Sequence, residues 1–238
     1  MILIVGASGR LGGALATKLL ANDKPVRGLS RSPEKLTNIE NLGAEIIQGD
    51  LRNPDSLQVA CDGVTTVIAS AHSLFGRGKE RSALIDYNGH LNLINAAQNA
   101  NVQHFIYISV IFAKPDLPVP FARYKYKVEE YLKSSGLCHT IIRPCAFIED
   151  HAQEMIGKPI MEKGKVTIFG KGESLQNFVA VDDVAKFVLL SLENTNARGK
   201  IIEVGGPDNL SNSQVVKIYE KALRKKAKVT HVPRIVLN

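Results

Sequence analysis

The sequence predicts an α/β fold, a doubly wound parallel sheet with a small α/β lobe at its C-terminal end. Three observations lead there. Short, apolar, β-branched runs alternate with segments in helical period. Those runs are apolar on both faces, as strands covered by helices on each side of a parallel sheet must be. A glycine-rich turn also joins the first strand directly to the first helix.

Each element follows in order. "ILIV" (2–5) is a strand and residues 11–21 a helix. "KPVRGLS" is a second strand, and "AEIIQGD" a third after the turn at Gly43. "PDSLQVACDG" is a short helix, with Pro54 near its start and Gly63 past its end. "VTTVIAS" is the fourth strand. Over residues 83–100, Leu84, Leu91, Ile94 and Ala97 recur at helical spacing. "HFIYISV", "FARYKYKVEEYLKSS" and "CHTIIRP" then read as strand, helix and strand, with Gly136 closing the helix. After Pro144 the rhythm changes. A helix is expected at "HAQEMIGKPIMEKG", strands at "KVTIF" and "NFVAV", and a helix over about 182–192. The strand "KIIEVGG" and the helix "SNSQVVKIYEKAL" complete the series. The expected division is residues 1–150 for the sheet domain and 151–238 for a lobe grown onto it.

Composition narrows the function classes. The 238 residues carry 45% hydrophobic and 22% charged side chains, an ordinary globular balance. No apolar run approaches the ~20 residues of a membrane helix, so no membrane insertion is expected. Residues 1–5 already read as strand, which argues against a signal peptide. Cys61, Cys138 and Cys145 are odd in number and widely spaced, pointing to a reducing cytoplasm rather than a disulfide framework or a zinc site. The net charge is +7, and the densest basic run, "KALRKKAKV", reads as the solvent face of an amphipathic helix. It lacks the interleaved aromatics that stack bases, so no nucleic-acid partner is expected.

The glycines carry the chemistry. Strand, glycine turn and helix together aim backbone N–H groups and a positive helix end at one point. Gly6 allows the tight turn, Gly9 lets a pyrophosphate approach the backbone, and Gly12 lets the helix pack close to the sheet. The turn is therefore read as a dinucleotide site of Rossmann type, with Gly6, Ser8, Gly9, Arg10, Leu11 and Gly12 as its binding residues. At the end of the second strand, in "GLSRSPEK", Arg31 stands where a carboxylate would select a free ribose. Arg10 could converge on the same phosphate. A guanidinium binds a 2′-phosphate bidentately, so the expected cofactor is NADP(H).

The chain resembles the short-chain dehydrogenase/reductase superfamily in its atypical, NmrA-like branch. The resemblance rests on "VGASGRLGG", "QGDLRNPDSL", "DYNGHLNLINAAQNANVQHFIYIS", "VEEYLKSSGLCHTIIRP" and "NFVAVDDVAKFV", nearly the whole chain. It implies that Asp50 and Leu51 flank the adenine and that Ala69, Ser70 and Ala71 line the cofactor. It also implies that Pro144 and Phe147 lie near the nicotinamide. On residues alone, Asp50 reads equally as a turn residue and Ser70 as a strand terminus. Asp182 and Asp183 read as the cap and first turn of a helix. The end of the chain, "HVPRIVLN", falls where extended members often continue.

Active members of that superfamily use a Tyr as acid/base, a Lys four residues later, and a Ser at the fifth strand's end. A phenol ionises near pH ~10, so the ammonium is needed at neutral pH. Here Ser109 takes the Ser place and Lys125 the Lys place, but Phe121 stands where the Tyr should be. Tyr124 and Tyr126 lie about 100° to either side of Lys125 around the helix. Relatives of isoflavone-reductase type keep the Lys without the Tyr and still reduce substrates. Lys125 is accordingly expected to meet the nicotinamide ribose or to act as an acid if burial lowers its pKa; as a surface lysine it would do neither. His72 and His151 are spare proton donors, and Cys145 reads as pocket lining.

Two functions are thus expected. One is an NADP(H)-dependent oxidoreductase, lacking the usual Tyr, that reduces a small carbonyl, quinone or enone. The other is a non-catalytic NADP(H)-binding redox sensor or assembly factor acting on a protein partner. A cytoplasmic location and a possible homodimer accompany both. The substrate pocket would draw on loops 72–82 and 111–120 and on the C-terminal lobe, the first loop being a basic candidate lid that could favour an acidic substrate.

Overall fold

The computed structural model describes residues 1–74 and 76–233. Phe75, within the candidate lid, and residues 234–238 lie outside the described residues. Strand β1 (Ile2–Val5) leads through the glycine turn into α1 (Arg10–Leu20), followed by β2 (Val26–Ser30). A 3₁₀ turn (Pro33–Leu36) and α2 (Thr37–Glu40) precede β3 (Glu45–Gln48), α3 (Pro54–Cys61) and β4 (Thr66–Ala69). A second 3₁₀ turn (Gly78–Glu80) and a π-helical stretch (Ala83–Gly89) run into α4 (His90–Asn99). Then come β5 (His104–Ile108), α5 (Pro120–Ser134) and β6 (His139–Pro144).

The rest of the chain opens with β7 (Ala146–Phe147) and a π-helical stretch (Ile148–Gly157) continuing as α6 (Lys158–Lys163). It proceeds through β8 (Lys165–Phe169), β9 (Leu175–Val179) and α7 (Val181–Glu193). Last are β10 (Lys200–Val204), β11 (Asn209–Ser211), α8 (Asn212–Leu223) and β12 (Lys228–Val232).

The main sheet has seven strands in the order β10-β6-β5-β4-β1-β2-β3. From β3 through to β6 every neighbour pairs in parallel, with Ile2 opposite both Val26 and Thr66. The order reverses beside β1, and ligands of open α/β sheets gather outside the carboxyl ends of strands at such a point. The expected doubly wound architecture is the one observed. One face of the sheet buries Leu3, Val5, Phe105 and Tyr107 with Leu57 of α3, Leu93 and Ile94 of α4, and Val128 and Leu132 of α5.

Contacts divide the chain into two compact units, Met1–Arg143 with Val184–Glu203, and Pro144–Asp183 with Val204 onward. The chain crosses between them three times rather than once after residue 150, because α7 and β10 return to the first unit. The second unit has its own core of Ile156, Ile160, Val166, Ile168, Phe178, Val215 and Val216. It contains the three-stranded sheet β11-β9-β7 and the parallel pair β12-β8.

One expectation is corrected here. The run "KALRKKAKV" is not one helical face: α8 stops at Leu223, and Arg224 turns left-handed at φ 51°. The Glu220 carboxylate then accepts from the Lys226 ammonium at 3.0 Å and the Ala227 N–H at 2.9 Å, so Lys228 can open β12. Local capping defeats the helical period there.

Leu93 is fully buried in the first unit's core, so Leu93→Ala should cost about 2–5 kcal/mol. Leu190, 60% exposed, should cost under about 0.5 kcal/mol when truncated likewise. Urea midpoints followed by circular dichroism check both, and equal shifts would contradict this core.

Candidate functional site

The site is described within the first unit and begins where β1 ends. Gly6 adopts φ +93°, and a Cβ there would lie 2.6 Å from the Ala71 nitrogen. Gly12 is tighter still, for its Cβ would lie 2.2 Å from the Gly6 carbonyl oxygen. Both glycines are therefore required by the protein's own packing. Gly9 differs: its nearest neighbour would be the Gly6 oxygen at 3.3 Å, and no other atom comes within 4 Å. Its open side is the one a pyrophosphate can approach. Gly9 also caps α1 without a side-chain partner, and no acidic residue occupies the helix's first turn, which suits an incoming anion. Arg10 and Leu11 open that helix, and Leu11 is buried.

The ends of the neighbouring strands close around this turn. Ala69 is fully buried at the end of β4. Ser70 then donates to the Val5 carbonyl through both its N–H (2.9 Å) and its hydroxyl (3.0 Å), tying β4 to β1. Ala71 is held against Gly6. Beyond β2 and β3 lies a cleft of about 360 Å³ lined by Arg31, Gln48, Gly49, Asp50, Asn53 and Ser56. The Asp50 carboxylate accepts from the Arg52 N–H at 2.9 Å and the Arg52 Nε at 3.0 Å, and that bonding holds its pKa below the usual carboxylate range. Leu51 is buried, and its carbonyl accepts from the Asn92 amide at 3.0 Å. Arg31 pairs with Glu80, which also pairs with Arg52 at 3.2 Å.

At the other end, Lys125 is only 2% exposed, which removes its reading as a surface lysine. Its ammonium donates to the Ile108 carbonyl at 2.9 Å and lies over the rings of Tyr107 and Phe121, 4.8 and 5.6 Å from their centroids. Burial lowers its pKa, against the opposing pull of the Asp86 and Glu129 charges. Ser109 is buried and gives its hydroxyl proton to Glu129. Glu129 also accepts from the Arg143 Nε at 3.0 Å and Nη2 at 2.6 Å. Phe121 is buried and meets the His72 ring edge-on at 6.3 Å, while Tyr124 stacks on Tyr87 at 5.8 Å. Pro144 ends β6 and Phe147 ends β7; Cys145 and His151 belong, like them, to the second unit.

Sequence reasoning did not find Arg52, Glu80, Asp86, His90, Tyr107 and Glu129. Asp86 is fully buried and accepts from the Ser82 hydroxyl at 2.6 Å and the Ser73 N–H at 3.1 Å. His90 donates through Nδ1 to the Ile85 carbonyl at 3.0 Å, while its Nε2 and the Tyr107 hydroxyl are buried without a partner. Burial pushes the His90 imidazole down to about 3 and the Tyr107 phenol well up. Among the described residues no His, Cys, Asp or Glu cluster could hold a metal, and no helix is long and apolar enough to cross a membrane.

A parallel sheet, a glycine turn at its switch point and a helix end open to an anion together define a dinucleotide-binding protein. Comparison carries this further: the NAD(P)H-binding family matches residues 6–195, and the chain belongs to that family, within the NmrA-like, atypical short-chain dehydrogenase/reductases. It is 31% identical over 237 residues to the photosystem II assembly factor Ycf39 of Cyanophora paradoxa, covering 98% of this chain and 71% of that protein. It is 28% identical over 215 residues to an NAD(P)H azoreductase of Xenophilus azovorans, covering 90% and 71%. The fold matches the triphenylmethane reductase of a Citrobacter species complexed with NADP(H), with TM-score 0.80, 24% identity and coverage of 97% and 79%.

Two expectations follow. Gly9→Val should fold and lose cofactor, whereas Gly12→Val should fail to fold, because its Cβ would strike the Gly6 backbone. Circular dichroism and cofactor fluorescence read the two separately. His90 ionises at 6.5 when unfolded but near 3 when folded, so stability is full above about pH 6.5 and falls as pH drops through that window. His90→Asn should remove about 1.4 kcal/mol per pH unit of that decline between about pH 5.5 and 4. An unchanged slope would show His90 already protonated in the fold.

Proposed function

We propose that the protein is an NADP(H)-dependent reductase whose acceptor takes its proton from solvent rather than from a side chain. One observation carries this reading. Gly9 leaves the glycine turn open to a phosphate, while the three residues that the resemblance sets at proton-handling positions are closed. Phe121 has no proton to give, Ser109 is committed to Glu129, and Lys125 is buried against the Ile108 carbonyl. Bound NADPH supplies a hydride. Lys125, beside Phe121, then orders this end of the site without delivering a proton. A simple carbonyl would become an alkoxide and need an acid at that moment. A quinone or conjugated enone yields a delocalised anion that water can protonate.

Arg31 at the cleft favours the cofactor's 2′-phosphate, and Gly6, Ser8, Gly9, Arg10, Leu11 and Gly12 cradle its pyrophosphate. Asp50 and Leu51 serve the adenosine end. Ala69, Ser70 and Ala71 line the strand ends. A second reading, an NADP(H)-binding assembly factor with a protein partner, is favoured by the Ycf39 relatives, matched over 98–99% of this chain in the first two cases.

NADPH oxidation with a panel of quinones, enones, azo dyes and simple aldehydes tests this. Turnover is expected with quinones or enones and not with aldehydes. Lys125→Ala should raise the KM for NADPH about tenfold while leaving kcat within about threefold. A hundredfold loss of kcat would instead make Lys125 the acid. Arg31→Ala should cost NADPH about 2 kcal/mol of binding and leave NADH unchanged. NADPH binding without turnover across the whole panel would hand the protein to the second reading.

A further inference from the structure

We propose that Glu80 is a built-in competitor for the 2′-phosphate, a carboxylate that holds the phosphate-binding arginines until NADP(H) displaces it. The inference rests on the NADP(H) reading above and deepens it. Three observations meet in one place. The Arg31 Nη1 pairs with Glu80 Oε2, and the Arg52 Nη1 lies 3.2 Å from Glu80 Oε1, so one carboxylate bridges two guanidiniums. Arg31 and Asp50 line the 360 Å³ cleft between the ends of β2 and β3, and Arg52 is hydrogen-bonded to Asp50 there. Glu80 itself comes from elsewhere in the chain, the 3₁₀ turn Gly78–Glu80, which Arg52 Nη1 also grips through the Lys79 carbonyl at 3.1 Å.

The exposure of the partners makes exchange feasible. Arg31 keeps 53% of its side chain in solvent and Glu80 40%, so their attachment is the weak, screened kind. A phosphate monoester carries more charge than a carboxylate and offers three oxygens where Glu80 offers two. It therefore wins the guanidiniums, and like charge then expels Glu80. NAD(H), with a bare 2′-hydroxyl, has nothing to offer Arg31 and leaves the pair closed. The residue thus weakens NADP(H) binding somewhat and couples the turn at 78–80 to which cofactor is present. In that turn the Glu80 N–H donates to the Arg77 carbonyl at 2.9 Å, giving an amide whose exchange can be followed.

Dissociation constants for NADPH and NADH, measured for wild type, Glu80→Gln, Arg31→Ala and the double variant, decide the matter. Glu80→Gln keeps the side chain's size and sits at the surface, so folding is not at stake; circular dichroism verifies it. The expected result is NADPH bound about fivefold more tightly by Glu80→Gln, NADH unchanged, and the gain lost in the double variant. Hydrogen exchange at the Glu80 amide should accelerate with NADPH and not with NADH. If Arg31→Ala abolishes NADPH preference while Glu80→Gln changes neither constant, the Glu80 role is overturned and the NADP(H) reading stands. If wild type shows no preference, the NADP(H) reading fails. An NADPH-selective gain in Glu80→Gln would then still support the competitor, and its absence would refute it. Equal tightening of both cofactors would refute it too, as a general charge effect.

Discussion

The contact between Gly12 and the Gly6 carbonyl sets the geometry of everything at the sheet's switch point. With a Cβ position only 2.2 Å from that oxygen, α1 lies as close to β1 as a helix can. This closeness fixes the first turn of α1 beside the end of β1. Ser70, bonded twice to the Val5 carbonyl, holds β4 level with β1, and Ala71 in turn rests on Gly6. Gly6 and Gly12 therefore belong to the scaffold, and only Gly9 presents an open face. The three glycines look alike in the sequence and answer to different physical demands.

The interior near Lys125 shows how charge is tolerated without solvent. Asp86 is satisfied by Ser73 and Ser82, Glu129 by Ser109 and Arg143, and Lys125 by the Ile108 carbonyl and two rings. Among the described residues no direct ion pair joins Lys125 to either acid, yet both acids oppose its desolvation. Burial disfavours the lysine's charge, and the two acids offset part of that cost. The same burial keeps His90 neutral and Tyr107 protonated. Around Lys125 the polar groups are thus buried and largely paired with one another.

The sheet, its helices and the glycine turn were legible because each rests on a local period or a short motif. Ser109, Phe121 and Lys125 were locatable only through resemblance, and their burial was not legible at all. Helical spacing places Lys125 on a face but does not say what covers that face. Arg52 and Glu80 escaped notice because charged residues in loops carry no period, and their meeting joins positions far apart in the chain. Asp86 and Glu129 carry no mark in the sequence of the full burial the fold gives them. The basic run near the C-terminus misled for the same reason in reverse. Its period is helical, but the left-handed cap at Arg224 and the pull of Glu220 on Lys226 end the helix within it.

The two ends of the site differ in what change they permit. At the cleft, Arg31, Arg52 and Glu80 remain partly in water, where a single exposed pair contributes at most about 1 kcal/mol. Single surface substitutions there can therefore be made without threatening the fold. At the Lys125 end, Glu129 is fully buried and Arg143 is its bidentate partner; removing one member of such a pair costs about 3–5 kcal/mol, because the other is left uncompensated. Catalytic capacity at that end is consequently hard to gain or lose one residue at a time. A phenol introduced at Phe121 would enter a floor whose hydrogen bonds are already closed. A protein so arranged can change which cofactor it answers to far more readily than what chemistry it performs, and this asymmetry suits a reductase and an assembly factor alike.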